Sequence, residues 1–207
     1  MKTQVITVLL AFGFSTLGLA QSTGNVAQVP AGSARSTPFA INTSALNVGL
    51  GAGLNYSGFG YKYTALPNVN TLPAISLSYE KGKFAGVGPG IISIGGLLGY
   101  KRYSWQSGGY EGAWRGLILA VRSAYHYDLF HNPKLDTYAG LSLGVRQEKY
   151  RYENTDNTGY SSYARSNTAL QSGVFLGARY FFSDKVGAFT ELGYDASYLK
   201  LGLTMRL

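Results

Sequence analysis

The chain has 207 residues, no cysteine, and 18 Lys and Arg against 10 Asp and Glu, a formal charge of +8. Only 14% of the residues are charged, against about 25% in an ordinary soluble domain, while 28 Gly and 17 Tyr stand out. This excludes a disulfide scaffold and a lipidated N-terminal cysteine, and a mean hydropathy near zero argues against a bundle of membrane helices.

The length allows one domain, or one domain with a tail. Lys2, the apolar run over residues 5–19 and the small residues Gly18 and Ala20 predict an export signal over residues 1–20, cleaved after Ala20. The run is shorter than the ~20 residues a spanning helix needs. For an exported protein, nucleic acid is a poor partner for the surplus positive charge, and anionic lipid headgroups are a better one. Residues 21–43 are rich in Ser, Thr, Ala and Gly, with Pro30 and Pro38 and no periodicity, and read as a flexible periplasmic leader.

From there the chain alternates at period two. In residues 45–56, Leu46, Val48, Leu50, Ala52, Leu54 and Tyr56 alternate with Asn47, Gly49, Gly51, Gly53 and Asn55. A second strand over 74–80 sets Ile75, Leu77 and Tyr79 against Ser76, Ser78 and Glu80, and Lys81, Gly82 and Lys83 read as a turn. Strands follow over 91–105, 113–127, 135–152 and 170–182, then a terminal hairpin over 186–207 turning at Ala196 and Ser197. Ile118 is out of place in that scheme, because it falls on the polar side of its strand. The hairpin register is expected to set Tyr194 opposite Leu199 and Leu192 opposite Leu201. Long connections (57–70, 106–112, 153–166) alternate with short ones (81–83, 128–134, 183–185). Eight strands with that alternation predict an all-β, antiparallel up-and-down transmembrane barrel over residues 44–207.

Period two does not say which face points inward. A soluble barrel would crowd its outer face with charge. Here the polar face is mostly Gly, Ser and Ala with single charges, and the apolar face ends in Tyr56, Tyr79, Tyr100, Tyr125, Tyr180 and Tyr194, as in an aromatic girdle. The apolar face is therefore expected to meet lipid. Arg122, Arg146, Glu148, Arg179, Glu191 and Lys200 then point into a narrow lumen, where they are expected to form an ion-pair network that fills the barrel. Arg102, Arg115, Lys149 and Arg151 point outward at the loop-side ends of three strands, beyond Tyr100, as candidate contacts for lipopolysaccharide phosphates.

The run TELGYDASYLKLGLTMRL, with GAFTELGY, a short turn and LGLTMRL, resembles the small outer-membrane barrels of the OmpA-transmembrane and OmpX type and the porin-like outer-membrane β-barrel domain family. The resemblance implies insertion by the barrel-assembly machinery, long loops outside the cell and no single biochemical activity. Many such chains end in Phe, where Leu207 stands here. A monomer with a structural or surface-interaction role, in adhesion or envelope integrity, is expected, with a narrow porin-like channel as the alternative and a lipid-modifying enzyme as a third class. No metal or nucleotide motif is present, so no cofactor is expected. Catalysis would need a serine within hydrogen-bond reach of His126 and a third, orienting group. Ser123 is three residues away and on the opposite face, so no enzyme is expected. The tyrosine-rich connections 57–70 and 153–166 are the expected contact surfaces.

Overall fold

The computed structural model describes residues 38–52, 69–86, 88–107, 109–154 and 162–207. The expected export signal, most of the leader, Tyr56, residues 57–68 and residues 155–161 lie outside the described residues; residues 153–154 and 163–166 of the expected last long connection are strand instead, so the strand expected from 170 begins at Tyr163. The strands are β1 (Ser44–Ala52), β2 (Val69–Thr71), β3 (Ala74–Gly86), β4 (Gly88–Ser107), β5 (Tyr110–Tyr127), β6 (Leu135–Asn154), β7 (Tyr163–Phe181), β8 (Val186–Gly193) and β9 (Leu199–Arg206). Every pairing is antiparallel, and β1 pairs with both β3 and β9, which closes the sheet. β2 and β3 lie along the same edge of β4, parted by Leu72 and by Pro73, which has no N–H to give a ladder. They make one stave, so the nine segments form an eight-stranded antiparallel up-and-down barrel.

Three further sequence expectations need correction. Lys81, Gly82 and Lys83 do not turn the chain: β3 continues to Gly86, with a register shift between Gly82 and Phe84 that leaves Lys83 as an extra, bulged residue. Gly82 is a strand glycine for a steric reason, since a Cβ there would strike the Ala40 carbonyl oxygen. The connection 106–112 is a tight hairpin in which Ser107 pairs with Tyr110, and Gly109 has φ 79°, the left-handed region that suits glycine at such a tip. In the last hairpin Leu192 faces Leu199 and Thr190 faces Leu201. The two-residue offset keeps the faces but widens the turn, because Asp195, Ala196 and Ser197 fold inward and are buried.

The barrel is inverted relative to a soluble one. Leu119, Val121, Leu141 and Leu143 are 60%, 63%, 64% and 62% exposed, whereas Arg122, Glu191 and Lys200 are 1% exposed and Arg179 is 0%. Ile118 is no exception to the outer face. It is buried with Leu97, Tyr103, Trp114, Ala120 and Ala196 in an apolar cluster inside the loop-side half of the lumen. At the other end, segment 38–43 crosses the mouth beside the short turns. Arg206 Nη2 donates to the Pro38 carbonyl (2.6 Å), Asn42 N to the Gly82 carbonyl (3.0 Å) and Gly82 N to the Thr43 carbonyl (2.9 Å), and Phe39 points in and is buried.

Candidate functional site

The lumen between these two plugs holds a column of ionic and polar side chains, each carried on the inward parity of its strand. In the middle, Glu191 of β8 accepts from Arg122 Nη2 of β5 (2.6 Å), from Lys200 Nζ of β9 (2.5 Å) and from the Tyr138 hydroxyl (2.9 Å). Lys200 also donates to Asp195 (2.6 Å), and the Arg122 guanidinium lies 4.0 Å from the centre of the Phe175 ring. Two cations here meet two carboxylates, so the burial of four charges is offset by mutual pairing.

Towards the short turns a second cluster is built on β3, β4, β5, β6 and β7. Arg179 pairs with Glu80 and donates to Asp136 (3.1 Å). His126 Nδ1 meets both Asp136 carboxylate oxygens at 3.0 Å, and its Nε2 lies 3.0 Å from Ser93 Oγ. Ser93 Oγ donates to Glu80 Oε2 (3.0 Å). Phe39 stacks on His126 at 3.8 Å with an 8° angle between the rings. Tyr138 joins the two clusters: Arg179 sits 4.3 Å over its ring while its hydroxyl reaches Glu191. On the loop side Arg146 Nε lies 3.2 Å from Glu148, and Arg146 Nη1 donates to Gln171 (3.1 Å), whose amide donates to the Asp195 carbonyl (3.0 Å).

All six ionic residues singled out from sequence therefore lie in this column, five of them paired among themselves and Arg179 with residues outside the six. Register sets Arg179 diagonal to Glu191, yet its guanidinium turns to Glu80 and Asp136. Glu80, Ser93, His126, Asp136, Tyr138, Gln171 and Asp195 also belong to the column. Strand parity alone could have nominated them, since each falls on the face of its stretch that was expected to point inward.

Ser93, His126 and Asp136 have the spacing of a nucleophile, base and orienting carboxylate, the arrangement that the sequence search for a serine beside His126 did not find at Ser123. Their surroundings oppose that chemistry. Ser93 Oγ donates to the Glu80 carboxylate (3.0 Å) and has the Ala124 carbonyl as a second acceptor (3.4 Å), so its proton is directed away from His126. Ser93 is also 0% exposed, which leaves a substrate no approach to its oxygen.

No family model and no characterised protein matches the sequence. Solved structures with a similar fold are barrels. Ail, the attachment invasion locus protein of Yersinia pestis, in complex with the heparin analogue sucrose octasulfate, is 14% identical with TM-score 0.48, over 81% of this chain and 96% of that one. Ail in a phospholipid bilayer nanodisc is 15% identical with TM-score 0.41, over 80% and 99%. The N-terminal β-barrel domain of Pseudomonas aeruginosa OprF is 14% identical with TM-score 0.40, over 81% and 98%. The architecture of the present chain stands on its own strand register.

On the outer face, Arg102, Arg115 and Lys149 are directly opposite one another on β4, β5 and β6. Arg151 is two residues further along β6, opposite Ala113, and pairs with Glu153. Beside this row is a cavity of about 430 Å³ whose lining includes Arg102, Arg115 and Arg151 together with the carboxylates Glu111 and Glu153.

Proposed function

We propose that the chain is an integral outer-membrane barrel with a structural or surface-interaction role, its filled lumen holding rigid the strands that run past the membrane. The observation that carries this is the inversion of burial: a closed sheet with arginines and carboxylates inside and a continuous leucine, valine and isoleucine face outside. In water that outer face would cost about 25 cal/mol for each Å² exposed; against lipid tails it costs nothing. Strands β4 to β7 extend beyond β8, β9 and β1, since β7 pairs with β8 only from Phe175 onward, and this extension is the surface offered to a partner. The sealed lumen favours a scaffold over the channel alternative. Outer-membrane fractionation combined with heat-modifiable gel mobility tests the reading: the folded, membrane-retained form should migrate faster unheated. A protein recovered in the soluble fraction without detergent sinks it.

A second reading rests on the basic row. Like charges directly opposite one another destabilise a sheet, by ~0.2–1 kcal/mol for each pair, and here three meet on consecutive strands just past Tyr100 and Leu117. An anion bound across them removes that cost. Phosphates of outer-leaflet lipopolysaccharide fit the level and the charge, and guanidinium forks suit their geometry. Replacing Arg102, Arg115, Lys149 and Arg151 by Ser should leave the barrel heat-modifiable and reduce lipopolysaccharide co-purification. Undiminished co-purification disposes of the assignment.

A further inference from the structure

The lipid-facing surface is not uniformly bulky. At the short-turn end the register sets Tyr125, Ala139, Leu176 and Leu192 in one cross-strand row and Tyr127, Thr137, Ala178 and Thr190 in the next. Ala139, Thr137, Ala178 and Thr190 are small, and their larger neighbours stand up around them, leaving a trough of about 540 Å³. That lies within the ~300–1,000 Å³ of small-ligand sites. Thr137 donates its hydroxyl proton to the Tyr127 carbonyl, so the floor offers no free donor there.

Two features mark the mouth. Leu129 and Phe130 project from the β5–β6 turn and are exposed, although they belong to no strand. Lys134, three residues before Thr137, is exposed, as is Lys185 on the neighbouring β7–β8 turn; Asp184 stands beside Lys185, while Asp128 is tied within its turn, accepting from Asn132 N (3.2 Å). Apolar character alone selects nothing in hydrocarbon, because lipid tails are as apolar as leucine. Selection has to come from shape and from charge at the headgroup level. The trough supplies the first, and Lys134 and Lys185, on the turns at this end of the barrel and outside the trough's lining, carry the second.

We propose that this trough is a binding site for one anionic phospholipid of the leaflet on the short-turn side, an acyl chain lying over Ala178 and Thr190 and the phosphate meeting Lys134. The assignment rests on the membrane reading above. The test is native mass spectrometry of the full barrel released from detergent micelles after titration with phosphatidylglycerol. Wild type, Ala178→Phe with Thr190→Phe, and Lys134→Gln are compared, each first checked for heat-modifiable mobility. Wild type should retain one phosphatidylglycerol. The double variant, whose rings fill the trough from the outside, should retain it about tenfold less well, and Lys134→Gln severalfold less well. Equal retention in all three proteins overturns the site while leaving the membrane reading intact. A wild-type dimer that the double variant dissociates also overturns it, and assigns the trough to a second copy of the chain. A wild-type protein that is soluble and not heat-modifiable removes the membrane reading itself.

Discussion

Glu191 gathers two buried cations, Arg122 and Lys200, together with the Tyr138 hydroxyl. Removing one member of a buried pair leaves the others charged and dry, which costs about 3–5 kcal/mol. Glu191→Gln should therefore lower the unfolding free energy of the reconstituted barrel, read by urea titration, by that much. Glu148→Gln should cost far less, since its partner Arg146 retains some exposure and a second bond to Gln171; similar losses for the two would contradict the description of the column. Ser93 offers a different test at the same scale. Ser93 is fully buried and donates to Glu80, so a fluorophosphonate probe should leave it unlabelled in the folded protein. Labelling that disappears in Ser93→Ala and His126→Ala would make this cluster a working hydrolytic site.

At the level of the strand, depth in the bilayer decides what a charge costs. On β9 the outward residues run from Leu199 through Leu201 and Leu203 to Met205. Leu201→Lys, near the middle, should destabilise by about 2–4 kcal/mol, and Met205→Lys, near the end, by about 0–1. Urea titration in vesicles reads both, and equal small effects would mean that this face meets water. Strand faces were legible in the sequence because period two survives local error: the last hairpin is offset by two residues from its expected register, and both apolar sets still share a surface. Turns were less legible. Lys81, Gly82 and Lys83 carry turn chemistry, but the glycine is there to admit Ala40 from the segment that leads into the neighbouring strand β1. Residues 106–112 read as a loop because glycine and polar residues also suit strands that extend beyond an apolar belt. Partners in the lumen were only partly legible: Asp136 stands directly opposite Arg179 in the β6–β7 register, but Glu80 reaches Arg179 across the barrel from β3, and cross-lumen distance has no sequence period.

At the scale of the molecule, the described residues occupy the lumen at three levels in series. Phe39 and the 38–43 segment close the short-turn mouth, the ionic column occupies the middle, and Leu97, Tyr103, Trp114 and Ile118 fill the loop-side half. Barriers in series mean that the removal of one leaves the resistance of the others, so the cap can be tested without asking it to carry the whole seal. Vesicles containing the wild-type protein should swell in small-sugar solutions no faster than protein-free ones. Phe39→Ala should behave the same way, even though it uncovers the face of His126. Swelling in Phe39→Ala alone would mean that water and solute already thread the ionic column, with the leader segment as the gate. Swelling in wild type would favour the channel over the scaffold. The paired measurement thus separates a filled barrel from a corked one, which a single conductance recording on the intact chain does not.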